Sequence, residues 1–259
     1  MFVVAILILG IAIPAGGRAQ STASLYFVQI TDTHWGDGDN FERTQKAVEQ
    51  INALPMQIKC VVHTGDITSD NIEDESVVEK GLKILRELKV PVHFVPGNHD
   101  ILRIRHPETQ AAYTKHFGPL VTEAEYDGVV FLMIYTEPLA KSFILEGYSP
   151  LAELEAALKR VGKKLVIVFH HSPDADKIYN NAIHEEWKKE IREKWKSILN
   201  SYNVKAVIAG HFHRDGHYLL GDVPVYFSSS IADYFGGQAT FRVYEYKDGK
   251  LGYSTQYLE

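Results

Sequence analysis

The sequence predicts an α/β fold in which a sandwich of sheets is flanked by helices. Three observations lead there. Short apolar runs of strand length alternate with amphipathic stretches as far as His213, the texture then turns to hairpin-like strands, and the polar clusters fall where predicted strands end.

The predicted strands are Leu25 to Ile30, Ile58 to His63, Val92 to Val95, Val129 to Tyr135, Leu165 to Phe169 and Val204 to Ala209. Each is a continuous or near-continuous apolar run, as strands covered on both faces require. Between them, Phe41 to Leu54 aligns Phe41, Thr44, Val48 and Ile51 on one helical stripe, and Glu75 to Leu88 aligns Val78, Leu82, Leu85 and Leu88. Ser149 as N-cap and Pro150 at the first helical position open a helix over Leu151 to Val161, which Gly162 closes. Ala182 to Tyr202 carries Trp187, Ile191, Trp195, Ile198 and Tyr202 at helical spacing. The C-terminal strands are Val223 to Ser228, Ala239 to Tyr246 and Leu251 to Tyr257, with Lys247-Asp248-Gly249-Lys250 as a hairpin turn.

Met1 to Ala19 stands apart. Phe2 through Ile13 is almost unbroken aliphatic, and Gly17-Arg18-Ala19 fits the small-x-small rule for cleavage after Ala19. The run is short for a membrane span, so the segment reads as an export signal and the protein as periplasmic or extracellular. No Lys or Arg precedes the apolar core, so an uncleaved N-terminal anchor is the alternative. Removing 19 residues from 259 leaves 240, residues 20–259, enough for one α/β domain. The 27 basic and 33 acidic residues give a net charge of −6, with no basic tract that would suit a nucleic acid. Cys60 is the only cysteine, which excludes an internal disulfide and a cysteine-built zinc site; it reads as a small core residue.

Five clusters carry donor side chains: Asp32-Thr33-His34, Gly65-Asp66, Gly97-Asn98-His99-Asp100, His170-His171 and Gly210-His211-Phe212-His213. On an extended backbone Asp32 and His34 point the same way, and an oxygen with a nitrogen donor suits Fe, Mn or Zn better than calcium. Asp66 in a Gly-Asp turn either caps the turn or leaves a carboxylate free to bridge two cations. His63 before it reads as packing or support. Pro96-Gly97 sets a tight turn, after which Asn98 offers an amide oxygen, His99 stands beside the site, and Asp100 is placed to hold the His99 ring. Alternation puts His211 and His213 on one side of the chain, with Phe212 opposite.

In this order the clusters resemble the calcineurin-like metallophosphoesterases, whose pattern is Asp-x-His, Gly-Asp, Gly-Asn-His-Asp or Glu, His, then Gly-His-x-His. The resemblance covers Leu25 to His213, and Thr64-Gly65-Asp66-Ile67-Thr68 is similar to a bacterial branch that includes cyclic-nucleotide phosphodiesterases. It implies a four-layer α/β/β/α sandwich with mixed sheets and two divalent or trivalent metal ions drawn from Fe, Mn, Zn and Co. Carried over by position, Asp32, His34 and His213 hold one metal, Asn98, His170 and His211 the other, and Asp66 bridges. His170 is preferred to His171 because family members with paired histidines mostly use the first. His99 matches the catalytic histidine. Such a metal pair activates a bridging hydroxide for attack on phosphorus and clamps the phosphoryl oxygens.

The implied substrate is a small phosphoester such as a nucleotide, a phosphate monoester or a glycerophosphodiester, and a membrane partner enters only if the N-terminal segment stays uncleaved. Trp35, Asp37 to Asn40, Arg103, Arg105 and His106 are candidates for lining the pocket, with a solvated helix face as the other reading of the arginines; Tyr234-Phe235 is a further candidate that reads first as core packing. Two other readings remain: a non-catalytic scaffold on the same fold, which usually lacks a ligand, and another metal-dependent hydrolase, which usually places His-x-His first.

Overall fold

The computed structural model describes residues 24–140, 143–174, 187–234 and 237–259. The predicted export segment and Phe235 lie outside the described residues, as does the start of the helix expected from Ala182.

Two mixed sheets form the centre. One has the order β11-β10-β1-β2-β3, from β1 (Leu25–Ile30), β2 (Ile58–His63), β3 (Val92–Phe94), β10 (Thr240–Lys247) and β11 (Lys250–Tyr257). The other has the order β4-β5-β6-β7-β9-β8, from β4 (Val121–Tyr126), β5 (Val129–Ile134), β6 (Leu165–Phe169), β7 (Val204–Ala209), β8 (Gly216–Leu220) and β9 (Val223–Phe227). The β1-β2-β3 run and the β5-β6-β7-β9 run are parallel, while β10, β11, β4 and β8 add antiparallel edges.

Side-chain parity builds the layers, because successive strand residues face opposite sides. Phe27, Cys60, Val62, Phe131, Met133, Ile167, Phe169, Ala206, Ile208 and Tyr244 meet between the sheets. Val28, Ile30 and Val61 face outward, onto Val48 and Ile51 of α1 (Asn40–Asn52) and Val78 and Leu85 of α2 (Glu75–Leu85). On the far side, Val130, Leu132, Val166 and Val168 meet Leu154 and Leu158 of α5 (Pro150–Val161) and Trp195 and Leu199 of α6 (Lys189–Ser201). The result is the α/β/β/α sandwich with mixed sheets. No helix among the described residues is long and apolar enough to cross a membrane.

Several elements depart from expectation. Strand β4 was not predicted, because Val121-Thr-Glu-Ala-Glu-Tyr126 is an edge with alternating polar residues. Its signal is Asp127-Gly128, a two-residue connection to β5 with both φ angles positive (50° and 83°). Strand β8 was also missed, as were α3 (His106–Phe117), whose apolar spacing is weak, and the one-turn α4 (Glu137–Ala140). Ser149 occupies the N-cap position of α5 but makes no side-chain cap, so Pro150 is the effective start signal.

Candidate metal centre and active site

The five clusters meet at the rim where β1, β2, β3, β6 and β7 end. The sheet ladder continues past the strands: Asp32 N donates to Gly65 O at 2.9 Å, His34 N to Asp66 O at 3.1 Å and Trp35 N to Ile67 O at 2.8 Å. On the other flank, Ile231 N and Ala232 N donate to Thr31 O and Asp32 O. Buried Gln29 pins the layers together, donating to Thr64 Oγ1 at 2.9 Å and Ala209 O at 2.7 Å while its Oε1 accepts from Tyr244. The loops are therefore fixed by backbone bonds before any side chain is counted.

The backbone at these positions is not extended. Asp32, His34, Asp66, His211 and His213 all have positive φ, between 44° and 75°. Asp and His tolerate this region better than branched residues, and non-glycine residues held there cluster at functional sites. The expected alternation therefore gives the wrong geometry, although it brings the right residues to the rim. His211 and His213 are split between two groups of donors.

In the first group, Asp32 Oδ1 lies 3.1 Å from His213 Nε2, and His34 Nε2 lies 3.4 Å from that same nitrogen. Asp32 Oδ2 is occupied, accepting from Thr31 Oγ1 and from His211 N at 3.1 Å. Burial alone would raise the Asp32 pKa, but His213 overrides it and holds the carboxyl well below its usual range. Burial lowers His34 to about 4, leaving a neutral imidazole suited to a metal.

In the second group, Asp66 Oδ2 lies 3.0 Å from His171 Nε2, which is 3.3 Å from His211 Nδ1. His171 Nδ1 donates to Thr64 O at 2.7 Å, the backing bond that aims an imidazole's other nitrogen at a metal. The same Asp66 Oδ2 is 3.9 Å from His34 Nε2. One carboxylate thus faces both groups. Donor atoms of Asp32, His34 and His213, and those of Asp66, His171 and His211, each lie within 4.8 Å of one another.

His170 does not join them. Parity explains why: Ile167 and Phe169 point between the sheets, so His171 continues toward the rim, while His170 follows Val166 and Val168 to the helix side. There its ring packs 5.5 Å from Trp195 and 5.9 Å from Trp187, with Nδ1 3.3 Å from Thr136 Oγ1. Burial lowers His170 to about 3. The neighbouring His171 is also opposed by burial, yet Asp66 raises it to about 10 in the metal-free chain. The structure thus gathers His171, and not the expected His170, with Asp66 and His211.

Asn98 Oδ1 is buried with no hydrogen-bond partner among the described residues, and Asp32 Oδ1 has only the His213 ring nitrogen, 3.1 Å away. An orphaned amide oxygen and carboxylates crowded by imidazole nitrogens are what a bound cation would satisfy, so the donor set fits divalent metal ions.

His99 is half-buried at the edge of this rim, 5.0 Å from the His34 ring, and its backbone N donates to Asp66 Oδ1 at 2.9 Å. The residue that holds its side chain is Asp70, whose Oδ1 lies 2.8 Å from His99 Nδ1. Asp66, opposed by burial and helped by Asp70, raises the His99 pKa. Asp100, expected in that role, is instead buried and spent on backbone: it accepts from Gly97 N, Ile67 N and Thr68 N, locking two motif loops together. Burial, with the charge of Asp66, pushes it up to about 6. Sequence reasoning missed Asp70, whose signal is its place four residues after Asp66 in the same loop.

His63 braces the loops behind the rim. It accepts from Gly65 N at 3.3 Å and lies 2.9 Å from Thr33 Oγ1, and burial lowers it to about 3. The cleft above the rim has a volume of about 420 Å³ and is lined by His34, Asp37, Ser69, Asp70, His99, His213 and Tyr234. Trp35 is fully buried against α2 and does not reach it, and Arg103, Arg105 and His106 lie outside it.

A family model for calcineurin-like phosphoesterases matches residues 25–215. The mouse protein named Serine/threonine-protein phosphatase CPPED1 is 26% identical over 244 residues, covering 82% of this chain and 76% of that protein. A Coxiella burnetii protein named "Probable cyclic nucleotide phosphodiesterase" is 28% identical over 212 residues, covering 79% of this chain and 81% of its own. Among solved structures, a dimetal phosphatase from Danio rerio superposes with a TM-score of 0.61 at 17% identity, covering 91% of this chain and 99% of that one. The family match contains all five clusters, and the chain belongs to the calcineurin-like phosphoesterase family, as a phosphoesterase carrying candidate His and Asp groups for divalent metal ions.

Proposed function

We propose that the protein hydrolyses small phosphoesters with a two-cation centre. Asp32, His34 and His213 would hold one ion, Asn98, His171 and His211 the other, with Asp66 between them. The observation that carries this reading is the position of Asp66 Oδ2, 3.0 Å from His171 Nε2 and 3.9 Å from His34 Nε2. The oxygen and nitrogen donor set suits Fe, Mn, Zn or Co. When bound, such a pair supplies Lewis acidity toward phosphoryl oxygen and acidifies water near neutral pH.

The remaining work falls to the chain. The half-exposed His99 faces the cleft with its Nδ1 tied to Asp70, leaving Nε2 to donate a proton to the departing alcohol oxygen. Its backbone bond to Asp66 Oδ1 sets the distance between that acid and the shared carboxylate. The small cleft suits a nucleotide-sized monoester or diester; the mouse relative is named a protein phosphatase and the Coxiella relative a cyclic nucleotide phosphodiesterase. The apolar N-terminal run supports export as the setting, and the mildly acidic balance argues against a nucleic-acid surface.

Turnover of p-nitrophenyl phosphate and bis-p-nitrophenyl phosphate by the Mn-loaded protein tests the reading. Chelator should abolish it, and His99→Ala should retain metal while losing most of the rate. Absence of turnover under every divalent metal would sink the proposal.

A further inference from the structure

Beyond the donor groups, the cleft has a wall of its own. The Tyr234 hydroxyl donates to Asp37 Oδ2, and Asn40 Nδ2 approaches the phenol oxygen at 3.5 Å. The ring lies nearly parallel to His213 (5.5 Å, 23°) and edge-on to His34 at 4.9 Å. An aromatic ring is therefore locked in place with a carboxylate at its polar end. No Lys or Arg is among the described lining residues. Arg43 is paired with Asp39 and Asp233, and Arg105 is paired with Glu73 and reaches the backbone oxygen of Asp70 at 3.5 Å. Asp70 in the same wall is paired with His99, whereas the partner of Asp37 is a neutral phenol.

We infer that the Asp37–Tyr234 wall selects phosphoesters whose departing alcohol carries a permanent positive charge, such as a trimethylammonium alcohol. The inference rests on the phosphoesterase reading above and deepens it. An aromatic ring beside a carboxylate recognises quaternary ammonium through cation–π and Coulomb attraction together. The charge of any cations at Asp32 and Asp66 is offset locally by those carboxylates and by the phosphoryl group, so the outer half of the cleft feels Asp37. An anionic tail there would meet a carboxylate with no counter-charge, which selects against it. In the reaction, water oxygen forms a new bond to phosphorus and the P–O bond to the alcohol breaks. The electron pair of that bond stays on the alcohol oxygen, which takes the proton of His99; the attacking water gives one proton to solvent, and His99 regains one from it.

The test compares phosphocholine, its neutral carbon isostere 3,3-dimethylbutyl phosphate, and phosphoglycolate on the Mn-loaded full chain. The expected kcat/KM is at least about tenfold higher for phosphocholine than for the isostere, equivalent to about 1.4 kcal/mol, with phosphoglycolate lowest. In Asp37→Asn and in Tyr234→Leu that ratio should fall toward one, whatever happens to each absolute rate. Equal rates on the first two substrates, or an unchanged ratio in both variants, overturns the inference. Inactivity on all three alongside turnover of bis-p-nitrophenyl phosphate overturns it while leaving the phosphoesterase reading intact. Inactivity on every ester removes both.

Discussion

Asp70 Oδ1 sits 2.8 Å from His99 Nδ1 and ties the loop after β2 to the loop after β3. That contact fixes the His99 tautomer and ring orientation, so the nitrogen free to act is Nε2.

Asp70→Asn should therefore slow turnover by about ten- to a hundredfold with little loss of metal. The sign of its pH effect follows from the His99 pKa, which Asp66, against burial, and then Asp70 raise above the ordinary imidazole value. A raised pKa keeps the proton donor loaded to higher pH, and activity is lost as pH rises through it. Removing Asp70 moves the alkaline limb of the rate profile to lower pH. A pH–rate profile with an unmoved limb would mean that His99 is not the acid.

Adjacent histidines should fail in different ways. His171→Ala removes the imidazole 3.0 Å from Asp66 and should lower metal affinity at least about tenfold. His170→Ala leaves a void between Trp187 and Trp195, costing about 2 kcal/mol of stability while metal content stays at the wild-type level. Elemental analysis and thermal unfolding of the two variants separate these outcomes. The reverse pattern would restore His170 as the ligand.

The distinction between those two residues shows where the sequence was readable. Apolar runs at strand length located β1, β2, β5, β6 and β7, whose two faces are covered so that composition alone marks them, and also the half-buried edge strand β3. Strand β4, solvated on one side, carried only the Asp127-Gly128 turn as its signal. The motif residues were legible as types at strand ends, but their aim was not, since Asp32, His34, His211 and His213 leave the extended conformation on which alternation depends. For His171 the parity of Ile167 and Phe169 was already in the sequence and points the right way. Asp70 and the Tyr234–Asp37 pair depend on loops meeting from distant parts of the chain, which no local pattern records.

In the metal-free chain His171 shares a hydrogen-bonded ion pair with Asp66, whose carboxylate raises it to about 10 against the opposing effect of burial. The folded pKa lies above the unfolded one, so this pair stabilises the metal-free fold fully below the ordinary imidazole pKa. That stability fades as pH rises toward 10. A metal must displace that proton. Saturating Mn added to the metal-free protein in dilute buffer at pH 8 should release about one proton more from wild type than from His171→Ala. Equal release would show that His171 is neutral before the metal arrives.

Gly97 is required for closeness rather than for a turn. Its φ is not positive, yet a Cβ built there would lie 2.2 Å from Asp66 Oδ1 and 2.3 Å from Asp66 N. Neither atom can retreat cheaply. The backbone N belongs to the loop that pairs with His34, and Oδ1 accepts from His99 N at 2.9 Å. Gly97→Ala should therefore displace the Asp66 carboxylate and the loop that carries His99 together. The expected result is a loss of at least about tenfold in metal affinity and about 3 kcal/mol in stability, toward the upper end for overpacking. Gly252 on β11 provides the control, because a Cβ there meets nothing within 4 Å and the φ is ordinary. Gly252→Ala should leave metal content unchanged. If Gly97→Ala binds metal as wild type does, Asp66 can shift without consequence, and metal binding does not depend on its position between the two donor groups.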